Sequence, residues 1–340
     1  MREFIEMTDE RRRLICEQAG AQTGLFDSSV EKDFWVCWTL EKLFNLPEWG
    51  QRLTFKGGTS LSKGWKLIER FSEDIDIVID RGALGFTGNN VPEHAQSNKQ
   101  IRKRLDSLKV AAQACVEQTI RPALLSAIKA EMPASLSWSL EHDSEDPDNQ
   151  SLLFSYPSVF PDHPQYLRQV VKIEMGARSD TDPSSEVSIQ PIIAEVFADL
   201  LPNSTFRVRS VQPVRTFWEK AMLLHEESYK PTDKKRRKRS MARHYYDLYQ
   251  LIQKGIADDA VVDPGLFKRI AAHRKVYFKY TWMDYETLAP GKLRLIPRED
   301  QMVDWRNDYT SMQREMFYGD VPTFDEVLKI VENFQKRFNT

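Results

Sequence analysis

The chain has little of what marks a secreted, membrane-spanning or zinc-bound protein. Its 340 residues include three cysteines, Cys16, Cys37 and Cys115, an odd number at wide spacing. They fit neither a disulfide framework nor a zinc pattern, and they predict reduced thiols in a cytoplasmic protein. The six histidines are scattered, with no metal-spaced pair among them. No apolar run approaches the ~20 residues that cross a bilayer. The opening MREFIEMTDERRR has no hydrophobic signal segment, so no membrane partner is expected. Charge of one sign is not in excess, since the formal net charge is −2, and any nucleic-acid contact must rest on a local patch. No internal repeat is visible. What is present is ample for a core: 41% hydrophobic and 11% aromatic residues, in a chain longer than one typical domain.

The segment Phe55–Asp80, FKGGTSLSKGWKLIERFSEDIDIVID, carries the chemistry. Ile75, Ile77, Val78 and Ile79 favour a strand. Alternation places Asp74 and Asp76 on one face and the isoleucines on the other. Two neighbouring carboxylates repel, and a divalent cation removes the conflict. Hard oxygen donors suit Mg2+ or Mn2+ rather than zinc. The alternative is a strand end with two solvated aspartates. Upstream, Leu53–Phe55 predicts a short strand entering Gly57 and Gly58, whose backbone can turn sharply and approach a ligand closely. Thr59 and Ser60 follow at the start of a predicted helix, where unpaired N–H groups favour phosphate. Leu61, Trp65 and Ile68 recur at helical spacing and predict its buried face. This is not a Walker A loop, because Gly64 is followed by Trp65 rather than Lys-Ser/Thr.

Gly57-Gly58-Thr59-Ser60 followed by Ser72-Glu73-Asp74-Ile75-Asp76 resembles motif I of the DNA-polymerase-β-like nucleotidyltransferases. More closely, the chain resembles the AbiEii/AbiGii toxin family, with its MenT-like type IV toxins, over most of its length. Val30–Val36 looks like the helix that this family places before motif I. The resemblance implies an α+β fold, a nucleotidyltransferase-type mixed β-sheet flanked by helices with a C-terminal helical domain. The expected domains are a nucleotidyltransferase core with N-terminal helices over 1–205 and a mainly helical domain over 206–340.

It also implies further site residues. Val170–Met175 alternates like a strand, and Glu174 fits the third carboxylate of the superfamily's metal site, as a ligand or as a base for the attacking hydroxyl. The alternative is a Lys172/Glu174 pair on an exposed face. Phe217–Leu224 predicts a helix with Lys220 on or beside its apolar face, where a buried ammonium needs an anion such as triphosphate. The family places a functional lysine here; otherwise it is a lysine snorkelling at the core's rim. Arg243-His244-Tyr245-Tyr246-Asp247-Leu248 resembles the family's Arg-Asp-x-x-Asp-Leu helix, with His244 in place of the first aspartate. Asp247 matches, and Arg243 joins the nucleotide-contact candidates together with Lys63; a structural Arg243–Asp247 pair at i, i+4 is the alternative. Lys234–Arg239 is six consecutive basic residues, expected to meet an RNA backbone or to be a solvated loop.

The remaining organisation is read from periodicity and breakers. Helices are expected over Met7–Gln22, Ser29–Phe44 (capped by Ser28 or Ser29) and Ile101–Met132, the last broken near Pro122. The glycine-rich 81–100 stretch is a loop, either a cover over the substrate or a surface insertion. Strands are expected over Leu136–Leu140, Leu152–Tyr156 and Gln169–Met175, with Glu186–Ile189 a further strand and Ile192–Val196 a short helix. The domain boundary is expected near Leu201–Val211, and the chain is mainly helical from Pro213. Aromatics interleaved with basic residues over His273–Trp282, with Trp305 and Tyr309, either stack bases or pack helices, with packing the favoured outcome.

The expected function is metal-dependent transfer of NMP from an NTP to an acceptor, an RNA such as a tRNA 3′ end by family resemblance. In this role Asp74, Asp76 and Glu174 hold metal and Gly57, Gly58, Thr59 and Ser60 hold phosphate. Lys220 meets the polyphosphate, and Glu174 or Asp247 positions or deprotonates the acceptor. The family further implies a toxin with a cognate antitoxin. Protein AMPylation and non-catalytic NTP or RNA binding are the alternatives.

Overall fold

The computed structural model describes residues 1–160, 168–231, 240–313, 316–317 and 319–340. The basic run Lys234–Arg239 lies outside the described residues. The chain forms two compact units, residues 1–64 with 71–210, and residues 65–70 with 211–340.

The first unit is built on a mixed sheet of seven strands, β1 Leu53–Lys56, β2 Ile75–Ile79, β3 Ser139–His142, β4 Ser151–Ser155, β5 Val170–Gly176, β6 Ser184–Ile189 and β7 Phe206–Val211, in the order β3-β4-β5-β2-β1-β7-β6. At its centre β1 is antiparallel to β2, and β2 is parallel to β5. Val171, Ile173 and Met175 of β5 are buried, while Lys172 and Glu174 stand on the other face, the alternation expected of a strand with one face in the core. Phe206–Val211, expected at the domain boundary, forms β7 beside β1.

Helices flank this sheet: α1 Arg2–Ile5, α2 Asp9–Thr23, α3 Asp27–Phe44, α4 Gly57–Thr59, α5 Asn98–Cys115, α6 Arg121–Glu131 and α7 Ile192–Val196. The hydroxyl of Thr8 caps α2. α3 starts at Asp27, two residues before the expected start, and no side chain caps it. Its Trp35 stacks on Tyr156 and its Trp38 packs on Phe154, with ring centroids 5.6 and 5.7 Å apart, so α3 lies against the sheet. The helix expected over Ile101–Met132 with a break near Pro122 widens into a π turn over Val116–Ile120, and Pro122 follows in the first turn of α6.

The second unit is helical: α8 Pro213–Tyr229, α9 Arg243–Gln253, α10 Ile256–Val262, α11 Pro264–Tyr277, α12 Met302–Gln313 and α13 Phe324–Asn339. Phe217 and Trp218 of α8 pack on Phe334 of α13, which begins with a Thr323/Glu326 capping box. The aromatic–basic segment is spent on packing. His273 stacks on Tyr277, Arg274 pairs with buried Glu226 and lies over Phe278, and Trp305 and Tyr309 are buried. No helix of the described residues is long and apolar enough to cross a membrane.

Candidate active site

The turn after β1 is shaped by a contact with the acidic strand. Gly57 has φ +81°, in the left-handed region, and a Cβ there would lie 1.9 Å from Oδ2 of Asp76. Glycine is therefore required twice, by the backbone angle and by the carboxylate against it. The register explains the closeness: Lys56 opposes Asp76 across β1 and β2, and Asp76 opposes Glu174 across β2 and β5. Opposed residues share a face, so Lys56, Asp76 and Glu174 form one row. Asp74 stands immediately before β2, and its carbonyl accepts from the Thr59 hydroxyl at 2.5 Å.

Thr59 and Ser60 are fully buried. Thr59 also lies 3.0 Å from the Ser72 hydroxyl, and the Ser60 hydroxyl donates to the Gly57 carbonyl at 3.0 Å. In this arrangement both hydroxyls, expected at the phosphate, brace the turn, and Thr59 ties it to Asp74. The groups this turn offers an anion are the main-chain N–H groups of Gly57 and Gly58, both half-buried and at the start of a helix.

The predicted helix through Ile68 ends at Gly64. After α4 the chain takes one wide turn over Ser60–Gly64 and then leaves for the second unit. A Cβ at Gly64 would lie 2.8 Å from Val187, so the turn sits directly on β6. Lys63, expected at the nucleotide, points into the protein, where its Nζ is 2.8 Å from Asp33 of α3. Burial works against this ammonium, but the Asp33 charge prevails and holds its pKa above the ordinary lysine value.

Glu174 is paired. Lys172 Nζ lies 2.8 Å from Glu174 and 3.1 Å from Asp143. Partial burial opposes the Lys172 charge, yet these two carboxylates keep its pKa above the ordinary value. Among the described residues no three His, Cys, Asp or Glu side chains already form a metal cage. The donor set still fits Mg2+, which takes one or two carboxylates and completes its shell with water and substrate phosphates. Asp76, pressed against the glycine turn, is suited to that mode.

The remaining candidates lie in the helical unit. Lys220 of α8 has its Nζ 2.8 Å from Oδ2 of Asp247 on α9. Arg70 grips the same carboxylate with two hydrogen bonds, at 2.7 and 2.9 Å. Asp247 is fully buried. Burial would raise its pKa, but Arg70 and Lys220 together hold it well below the carboxylate range. The partners of Asp247 are thus Arg70 and Lys220, both distant in sequence. Burial also lowers the Lys220 pKa, and the charges of Arg70 and Arg243 add to this against Asp247. His244 lies 3.5 Å from Lys220 Nζ through Nδ1 and is kept neutral by burial and by the Lys220 and Arg243 charges. Two cations, Arg70 and Lys220, therefore hold one carboxylate, and the Arg243 charge acts on Lys220 and His244.

Sequence reasoning did not single out Arg70, Asp33 or Asp143. No local signal distinguishes them, because each acts through a partner far along the chain.

A family model described as nucleotidyl transferase AbiEii toxin, type IV TA system, matches residues 38–330. The chain belongs to this family and is a nucleotidyltransferase toxin of a type IV toxin–antitoxin system. No curated protein matches it. Among solved structures, the MenT4 nucleotidyltransferase toxin Rv2826c from Mycobacterium tuberculosis H37Rv is similar at 16% identity and a TM-score of 0.44, covering 98% of this chain and 100% of that one.

Proposed function

We propose that the protein transfers NMP from an NTP to the 3′ end of a tRNA in a Mg2+- or Mn2+-dependent reaction. The observation that carries the metal-dependent chemistry is Asp76, set in register with Glu174 and so close to the Gly57 turn that no side chain fits there. Asp74, Asp76 and Glu174 would hold the metal, which when bound neutralises phosphate charge and orients the α-phosphorus for attack. Gly57 and Gly58 offer backbone N–H groups to the phosphates, and Thr59 and Ser60 hold that backbone still.

In the helical unit Lys220 is the cation we assign to the polyphosphate. Lys220 is buried, and burial together with the Arg70 and Arg243 charges works against its ammonium, a strain that an anion relieves. Asp247 and Arg70 fix the position of Lys220, and Arg243 adds to the positive field. The RNA acceptor is supported by the family and by the basic run Lys234–Arg239, whose charges suit a phosphate backbone. As a family toxin, the chain is expected to have a cognate antitoxin.

The test is incubation with each α-labelled NTP, Mg2+, purified tRNA, total RNA and lysate protein, followed by a gel. Label should enter tRNA, and Asp76→Asn should lower it on the order of a thousandfold while the variant melts like the parent. Label in protein would overturn the RNA acceptor, and full transfer by folded Asp76→Asn would overturn the site.

A further inference from the structure

We propose that Lys172 is a built-in counter-ion of the acidic face, resting on Glu174 when no metal is present and on Asp143 when a divalent cation takes Glu174. This rests on the metal-dependent reading above.

Lys172 and Glu174 project from the same face of β5, two residues apart, and Glu174 stands beside Asp76. A bare row of carboxylates there would repel itself. The Lys172 ammonium lies within reach of two carboxylates at once, Glu174 at 2.8 Å and Asp143 at 3.1 Å. The two differ in kind. Glu174 is 44% exposed, open to an incoming ion. Asp143 is buried and held in place: its carboxylate accepts the Glu145 N–H, and its own N–H donates to the Ser151 carbonyl, each at 3.0 Å. Asp143 is thus a fixed resting point and Glu174 a site the lysine can give up.

An ammonium has three donors on a flexible stem, so it can shift its weight from one carboxylate to the other without losing ionic contact. A divalent cation at Glu174 must first displace this monovalent one. Lys172 therefore weakens metal binding to the protein alone and leaves tight binding to the metal–nucleotide complex, whose phosphates bring their own ligands.

The test is Mn2+ titration of the full chain followed by electron paramagnetic resonance, without nucleotide. Lys172→Met should bind Mn2+ roughly fivefold more tightly, the scale of one partly exposed ion pair. Lys172→Gln, which removes the charge but keeps a polar side chain, should do the same. Asp143→Asn should weaken Mn2+ binding by a similar factor, because Lys172 then holds Glu174 alone. In the Lys172→Met background Asp143→Asn should have no further effect. Unchanged affinity in both Lys172 variants would overturn the proposal, as would an Asp143→Asn effect of equal size in both backgrounds, which is plain long-range attraction. Asp76→Asn separates the two levels. If it abolishes Mn2+ binding while the Lys172 variants do nothing, only the counter-ion role fails. If it leaves Mn2+ binding intact, the metal reading fails and the counter-ion role with it.

Discussion

Gly57→Ala tests whether the turn and the acidic strand are one device. Two costs meet at this residue. The first is conformational: φ is +81°, and an L-residue held there costs about 1–2 kcal/mol. For a unit of this size that lowers the melting temperature by roughly 2–8 °C. The second is steric: the new Cβ would lie 1.9 Å from Oδ2 of Asp76, about 1.5 Å inside ordinary contact. Either the turn lifts away or Asp76 rotates out of its row, and a displacement on the order of 1 Å at a reacting group costs about a hundredfold in rate. Gly24→Ala is the control. Gly24 lies in the same unit with φ +72°, and a Cβ there meets nothing within 4 Å, so it carries the first cost alone. The two variants should lose comparable stability in thermal melts, with Gly57→Ala the lower, but only Gly57→Ala should lose label transfer to tRNA. If Gly57→Ala keeps near-parent transfer, Asp76 is not where the chemistry needs it, and the argument from close approach is wrong.

Asp247→Asn should destabilise the helical unit by about 3–5 kcal/mol, because Arg70 and Lys220 lose the buried carboxylate between them. Its melting transition should fall by roughly 10 °C or more, and an unchanged transition would refute the structural role given to Asp247. The same unit should weaken in acid through His225, which burial, aided by the Arg294 charge, depresses from 6.5 to about 4. The unfolded chain then binds a proton between pH 6.5 and 4 that the folded chain refuses, so this stability is complete above pH 6.5 and drains away as pH falls toward 4. The loss amounts to about 3 kcal/mol, and His225→Gln should flatten that part of a stability–pH curve; an unaltered slope would show that His225 does not titrate as described.

What could be read from the sequence was whatever has a local period or a local breaker. β5 was legible because only one face of it is buried, so alternation separates Glu174 from Val171, Ile173 and Met175; in β2 alternation sets Asp76 apart from Ile75, Ile77 and Ile79, although Val78 on its own face is buried as well. Pro122 was legible because a missing N–H must be accommodated wherever it falls in a helix. The glycine pair was legible as a turn, and its partner Asp76 as an acid. The hidden parts depend on residues distant in the chain. The short helix after Gly57 stops where Gly64 meets Val187, whereas Leu61, Trp65 and Ile68 keep a helical period straight past it. Lys63 looked available to phosphate because Asp33 is thirty positions upstream. The partner of Asp247 was hidden because nothing near it in sequence announces Arg70, and the i, i+4 cation Arg243 is the nearer candidate.

One helix explains why the site's geometry tolerates so much charge so near a core. Glu31, Lys32 and Asp33 are consecutive, charged and buried on α3. Successive helical residues point about 100° apart, so the three side chains fan out to different neighbours. Glu31 accepts from the Ser158 hydroxyl and the Val159 N–H, at 2.6 and 2.8 Å. Lys32 pairs with Glu73, next to Asp74, and donates to the Arg168 carbonyl. Asp33 pairs with Lys63 at the end of the glycine turn and accepts the Ile192 N–H at 2.7 Å. Apolar residues in these places would bury as well and cost less desolvation, but they would not fix direction. Directional bonds are what this arrangement requires, because the turn bearing Gly57 and the strand bearing Asp76 must meet with no space for a methyl group between them. Lys32 holds the lead-in to the strand, Asp33 holds the far end of the turn, and both bonds return to the same two residues of α3. The segments flanking the close approach of Gly57 and Asp76 are thus tied to one helix, at Glu73 through Lys32 and at Lys63 through Asp33.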